Sequence, residues 1–153
     1  MNIVPAGPAD VSAISRLEEE LFDSPWSPAQ VRSGLMASHS LWLVCRLGEE
    51  VVGFAGFRMV AADEAELLRL AVAPPWRRQG VASLLLTWAL EDLAGRGVES
   101  CFLEVRSRNL AALRLYKRLG FVCQGTRPGY YRQPRDSAVV MARALTGIKE
   151  GAV

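Results

Sequence analysis

A mixed α/β sheet with helices packed against it is the fold class this sequence predicts, and three observations predict it. Short apolar runs alternate with stretches of helical periodicity along the chain. Two of the runs, Leu41 to Leu47 and Val51 to Val60, are joined by Gly48-Glu49-Glu50, a hairpin signal that calls for antiparallel pairing. From Leu67 to Arg106, strand, helix and strand follow one another, a crossover unit that calls for parallel pairing.

The elements follow in order. Asn2 to Ala6 is a weak strand that Pro5 confines to a sheet edge. Val11, Ile14, Leu17 and Leu21 lie at helical spacing and predict a helix from about Pro8 to Leu21. Ser27 and Pro28 read as N-cap and first residue of a short helix reaching Met36. In the connection between the two helices, Trp26 is either a core plug or one wall of a substrate groove. Gly53 and Gly56 inside the third strand mark bends or close backbone approach. Ala61 to Glu64 turns the chain, and Leu67 to Val72 completes an antiparallel meander of strands two, three and four. Pro74 and Pro75 end that strand, because proline cannot donate to a ladder.

A helix from Gly80 to about Ala94 comes next, with Leu84, Leu85, Leu86, Trp88, Ala89 and Leu90 as its apolar side; Gly95 and Gly97 end it, Gly95 reading as its C′ residue. Glu99 to Arg106 is the fifth strand, parallel to the fourth. Asn109 opens a helix over Leu110 to Leu119, and Gly120 ends it. Phe121 to Gly125 starts another strand, Pro128-Gly129-Tyr130-Tyr131 is expected to be a loop, and Ser137 to Ala144 is the last strand.

The totals narrow the function classes. A chain of 153 residues, half of them hydrophobic, is expected to form one domain over residues 1–153, with a proper core and no disorder. The apolar runs are too short to cross a bilayer, and Met1 to Pro5 lacks the basic and apolar regions of a signal peptide, so a cytoplasmic protein is expected. Cys45, Cys101 and Cys123 lack metal-ligand spacing; they read as buried free thiols, and no metal is expected. His39, the lone histidine, reads as a surface residue. Charge is uneven: residues 1–76 carry a balance of −5 and residues 77–153 one of +7. A basic half suits a ligand bearing several phosphates. Aromatic–basic interleaving and known nucleic-acid motifs are absent from the sequence, so no nucleic-acid partner is expected.

The phosphate site is placed by the strand ending at Val72, the turn Arg77-Arg78-Gln79-Gly80 and the helix start Val81-Ala82-Ser83. Free N–H groups and the dipole of a helix N-terminus attract anions, and Arg77 and Arg78 add full charges. The turn is neither a Walker loop nor a dinucleotide fingerprint. Two parallel strands diverging at their C-terminal ends leave a cleft, where ligands of open α/β sheets bind. Glu104 interrupts an apolar strand end. A partly desolvated carboxylate there suits a general base, while a solvated pair with Arg106 is the plainer alternative. Tyr116, spaced with Leu113 and Leu119, is either a core tyrosine or a proton donor, and Asn109 is by default a helix N-cap.

The spacing Arg77-x-x-Gly80-x-Ala82 resembles the acyl-CoA pyrophosphate loop of the GNAT N-acetyltransferases. The stretch from Leu103-Glu104-Val105-Arg106 through Asn109 and Leu115-Tyr116 to Leu119-Gly120-Phe121 is more specific. With Pro25-Trp26-Ser27 and Tyr130-Tyr131 in the family's order, the chain resembles the ribosomal-protein-alanine N-acetyltransferase branch of that family over nearly its whole length. The resemblance implies a GNAT fold, with a mostly antiparallel sheet, splayed parallel strands four and five, and helices on both faces. It implies acetyl-CoA as cosubstrate and a protein N-terminus as acceptor, first among them the N-terminal alanine of ribosomal protein S18. It makes Glu104 the proton acceptor and Tyr116 the proton donor. Leu70, Ala71 and Val72 would hold the pantetheine arm and thioester carbonyl by their backbone, with Arg77, Arg78, Gln79, Gly80, Val81, Ala82 and Ser83 around the pyrophosphate and Asn109 near Tyr116. Trp26, Tyr130 and Tyr131 would form the acceptor side, and the protein would act as a monomer. Ala82 stands in place of the commoner second glycine, and Ala73-Pro74-Pro75-Trp76 in place of an Asp-Pro turn. A GNAT acting on lysine side chains or small amines, and a non-catalytic acyl-CoA sensor, are the competing readings.

Overall fold

Alternation of buried and outward residues sets the strands. In the computed structural model, which describes residues 1–145, they are β1 (Asn2–Pro5), β2 (Ser40–Leu47), β3 (Glu50–Ala61), β4 (Glu64–Val72), β5 (Ser100–Arg106), β6 (Val122–Arg132) and β7 (Arg135–Ala144). The helices are α1 (Val11–Leu21), α2 (Pro28–Met36), α3 (Val81–Gly95) and α4 (Leu110–Arg118). The strand order is β1-β2-β3-β4-β5-β7-β6. β4 and β5 pair in parallel, from Glu64 opposite Ser100 to Glu66 opposite Phe102, while β1–β2, β2–β3, β5–β7 and β6–β7 are antiparallel. The mixed sheet expected from the sequence is therefore present.

The residues group into two compact units, Met1–Met59 with Leu68–Ala89, and Val60–Leu67 with the chain from Leu90 onward. In the first unit, β2 is buried on both sides. Trp42, Val44 and Phe54 pack with Val11, Ile14, Leu17 and Val31 of α1 and α2. The opposite face carries Gly53, whose missing side chain admits Ala71 O, Val81 and Leu85 within about van der Waals distance. α3 therefore covers that face. Gly56 lies beneath the Trp42 ring, where a Cβ would stand 2.6 Å from the indole. Both glycines thus serve close approach, as the sequence suggests.

In the second unit, Cys101, Leu103 and Val105 of β5 are buried, as are Leu90, Leu93, Tyr116 and Met141. Two helix ends there share one geometry. Val98 N–H donates to Leu93 O and Gly97 N–H to Ala94 O; Phe121 N–H donates to Tyr116 O and Gly120 N–H to Lys117 O. These are Schellman caps, with Gly97 (φ 92°) and Gly120 (φ 89°) in the left-handed region. Of the two glycines expected to end α3, Gly97 takes the C′ position expected of Gly95, which still belongs to the helix.

Other expectations change. The first helical stretch opens as a 3-10 turn, Pro8–Asp10, because the Asp10 carboxylate accepts from Gly7 N–H at 2.8 Å and tightens it. Leu84 and Trp88 face outward from α3, since Leu85, Leu86, Ala89 and Leu90 already fill the buried stripe. Cys45 and Cys101 are buried, but Cys123 is exposed, because β6 is an edge strand whose residues are almost all open to solvent. Pro128 to Tyr131 is not a loop but part of β6. The register jumps between Arg127, opposite Ala138, and Tyr131, opposite Asp136, so the bulge accommodates a proline that cannot donate and a glycine at φ 62°.

Candidate active site

The turn expected from the sequence to hold phosphate belongs to the first unit. After Val72, the 3-10 turn Pro74–Trp76 redirects the chain, and Arg78 (φ 62°) and Gly80 (φ 82°) both take left-handed backbone just before α3. Left-handed residues alternating with ordinary ones turn successive N–H groups toward one side, a concavity suited to anions. For arginine that conformation costs roughly 1–2 kcal/mol, and such strain persists where the surrounding fold enforces it. Gly80 O starts the helix by accepting from Leu84 N–H at 2.9 Å. Val81 is buried, so only its backbone can meet a ligand, while Ala82 and Ser83 are partly open. Arg77 donates to Val72 O at 3.1 Å and Gln79 to Pro75 O at 3.3 Å. Those two side chains brace the turn, and Arg78 supplies its outward charge. Leu70 and Val72 are half-buried and Ala71 is buried on β4.

Trp26 is half-buried in the same unit, tilted against Trp42 at 5.7 Å. Its backbone N–H donates to Glu18 Oε1 at 2.9 Å. Glu18, fully buried, also takes Arg69, with Nε to Oε2 at 2.9 Å and Nη2 on Oε1. The Arg69 guanidinium lies 4.0 Å over the Phe22 ring and 5.3 Å from that of Trp26. Sequence reasoning missed this pair, because nothing local in Leu17-Glu18-Glu19-Glu20 distinguishes the acidic residue that turns inward.

The second unit holds the titratable groups. Glu104 is 19 % exposed, and its Oε2 is enclosed without accepting a hydrogen bond among the described residues. The nearby cation is Arg127, Nε at 3.7 Å. The pairing with Arg106 considered from sequence is absent. Arg106 instead donates to Pro134 O at 2.6 Å and Gln133 O at 3.1 Å and lies 4.2 Å over the Tyr131 ring. Arg127 was invisible in the sequence because only the β7–β6 pairing carries it to β5. Tyr130 and Tyr131 pack edge to face at 5.2 Å, Tyr130 exposed and Tyr131 half-buried. Burial, then the Glu104 carboxylate, pushes the Tyr131 phenol above its ordinary pKa.

Tyr116 is 7 % exposed and meets Phe121 edge-on at 5.8 Å, a contact set by the Gly120 cap. Burial chiefly, with Cys101 and Tyr131 adding, raises its pKa, so it remains a neutral phenol at physiological pH. Asn109 Oδ1 caps α4 by accepting from Ala112 N–H at 3.2 Å. Asp136 accepts from Ser107 Oγ at 2.5 Å, Ser137 N–H at 2.8 Å and Arg108 N–H at 3.2 Å, which holds its carboxyl below the usual range. Among the described residues, no three metal-ligating side chains cluster, and no helix is long and apolar enough to cross a membrane.

The family model for the GNAT acetyltransferases matches residues 11–121. The chain belongs to the GNAT family of acetyltransferases. This GNAT chain is 36 % identical over 140 residues to the N-alpha-acetyltransferase RimI of Mycobacterium tuberculosis, covering 88 % of this chain and 87 % of that one. It is 34 % identical over 139 residues to the ribosomal protein bS18-alanine N-acetyltransferase of Escherichia coli, covering 90 % and 93 %. An uncharacterised Mycobacterium leprae protein is 36 % identical over 141 residues, 89 % of this chain, which spans only 38 % of that longer relative. The crystal structure of the ribosomal-protein-S18-alanine N-acetyltransferase from Escherichia coli superimposes with a TM-score of 0.87 at 32 % identity, over 94 % of this chain and 93 % of that one.

Proposed function

We propose that this GNAT enzyme transfers the acetyl group of acetyl-CoA to the N-terminal α-amine of a protein, with the alanine terminus of ribosomal protein S18 as the first candidate. The observation that carries the reading is Glu104 Oε2, an enclosed carboxylate oxygen with an open lone pair. An α-amine has a pKa of about 8 and is largely protonated at neutral pH, so it must lose a proton before attack. Glu104 takes that proton, directly or through water. The amine then attacks the thioester, and a backbone N–H at the end of β4, among Leu70, Ala71 and Val72, stabilises the oxyanion. Tyr116, kept protonated by burial, donates toward the departing sulfur. Arg78 and the N–H groups from Gly80 to Ser83 receive the pyrophosphate, with Arg77 and Gln79 bracing them, and Asn109 contacts the cosubstrate. Trp26, Tyr130 and Tyr131 form the acceptor side. The whole chain acts as one catalytic domain, a monomer in the cytoplasm, without metal. Kinship with proteins named for this reaction, at 34–36 % identity, favours an N-terminal acceptor over lysine or small amines.

The test is intact-mass and fragment analysis of an S18 N-terminal peptide incubated with enzyme and acetyl-CoA. One acetyl group on the α-amine is expected. Acetylation of lysine in an N-terminally blocked peptide at the same rate would reject the proposal. In Glu104→Gln, kcat is expected to fall about 100-fold or more, with acetyl-CoA binding retained.

A further inference from the structure

The conspicuous residue outside the proposed chemistry is Arg106. It lies two positions beyond Glu104, so both side chains leave the same face of β5. That face does not use Arg106 as an ion-pair partner, since Glu104 has Arg127 at 3.7 Å. The guanidinium fork instead spans two consecutive carbonyls of the β6–β7 turn, Gln133 O and Pro134 O, and its plane covers the Tyr131 ring. One side chain thus fixes the turn by two directed bonds and a ring by stacking. The turn has a second tether: Asp136 gathers Ser107 Oγ and the Arg108 and Ser137 N–H groups, joining the end of β5 to β7. Tyr130 packs on the ring that Arg106 holds, and Arg127, 5.7 Å from the Tyr130 ring, is also the cation beside Glu104. Arg106, Tyr131, Tyr130, Arg127 and Glu104 therefore form a chain of neighbours ending at the enclosed Glu104 Oε2.

We propose that Arg106 is a positioning residue for the acceptor: its bonds to the 133–134 carbonyls and its stacking on Tyr131 hold the two tyrosines where an incoming polypeptide terminus meets them. The inference rests on the proposed function, which assigns those tyrosines to the acceptor side. Lysine cannot reproduce it, because an ammonium offers no planar fork to two carbonyls and a ring at once.

The experiment uses full-length enzyme with Arg106→Met and Arg106→Lys, alone and combined with Tyr131→Leu. The peptide KM is expected to rise roughly tenfold in both single variants, kcat and acetyl-CoA affinity staying within about twofold, and the Arg106 effect is expected to vanish in the Tyr131→Leu background. In the apo protein, the near-ultraviolet circular dichroism contributed by Tyr131 should collapse in both variants while the far-ultraviolet spectrum is unchanged. Full rescue of KM by lysine would show that charge alone suffices and overturn the proposal. So would multiplicative effects with Tyr131→Leu, or an unaltered tyrosine signal. If wild-type enzyme acetylates no peptide terminus, the proposed function fails, and the dichroism signal still decides whether Arg106 orders Tyr131.

Discussion

Arg78 holds its left-handed backbone without the freedom of a glycine. Arg78→Gly removes the Cβ clash, offset in part by the greater entropy of glycine in the unfolded chain, so stability is expected to rise by up to about 1 kcal/mol. The same change removes the outward charge, so the acetyl-CoA KM should rise. Urea melts and cosubstrate titrations of one variant check both, and a stable variant with unchanged KM would remove Arg78 from the phosphate site. Glu104, Tyr116 and Gly80 stand out in the sequence as a carboxylate in an apolar strand, a phenol in an apolar stripe and a lone glycine at a helix start, while the roles proposed for them come from the family resemblance. Arg127, Arg69 and Arg106 break no local rule. Their partners come from strand pairing or from residues 27 to 51 positions away, as with Arg106 and the Gln133 carbonyl or Arg69 and the Glu18 carboxylate.

At the scale of elements, the Gly120 cap joins the end of α4 to the placement of Phe121 against Tyr116. Gly120→Ala meets both a φ of 89° and the Arg143 side chain 3.3 Å from the new Cβ. A loss of about 1–2 kcal/mol is expected, with a fall in kcat as Phe121 shifts; thermal melts beside steady-state rates would show it. The Asp136 clamp predicts a pH signature. Its carboxyl is held below its unfolded value by Ser107 and two backbone N–H groups. The stabilisation is therefore complete above the ordinary carboxylate pKa of about 3.9, and is lost as pH falls from there through the folded value. Asp136→Asn should be less stable than wild type at neutral pH, and the difference should narrow as pH falls below about 3.9, by urea melts at a series of pH values. Element order and most boundaries were readable from periodicity, prolines and glycines. The extension of β6 through Pro128 and Gly129 was not, because a bulge on an edge strand tolerates residues that otherwise signal a loop.

Across the whole chain, the uneven charge predicts a salt response. The balance of +7 over residues 77–153 includes Arg78 in the turn proposed to hold phosphate and Arg114, Lys117 and Arg118 exposed on α4. A polyanionic cosubstrate drawn by that field should lose affinity as salt screens it, with KM for acetyl-CoA rising severalfold between about 0.05 and 0.5 M ionic strength. A flat response in steady-state assays would confine recognition to the backbone nest. The mixed sheet itself was legible because the hairpin and the crossover each specify a pairing direction. The outward turn of Leu84, Trp88 and Cys123 was not, since hydrophobicity alone does not say which of several apolar faces a sheet will cover.

The Trp42 indole fills the volume where Gly56 would carry its first side-chain carbon. Mutational drift here has a fixed order. Alanine at Gly56 becomes tolerable only after the tryptophan has shrunk, and shrinking the tryptophan first leaves a hollow that a methyl group then fills. Of the two paths to the same double variant, one passes through an overcrowded intermediate and the other through an underpacked one, so the history of this corner is constrained even where its end point is free.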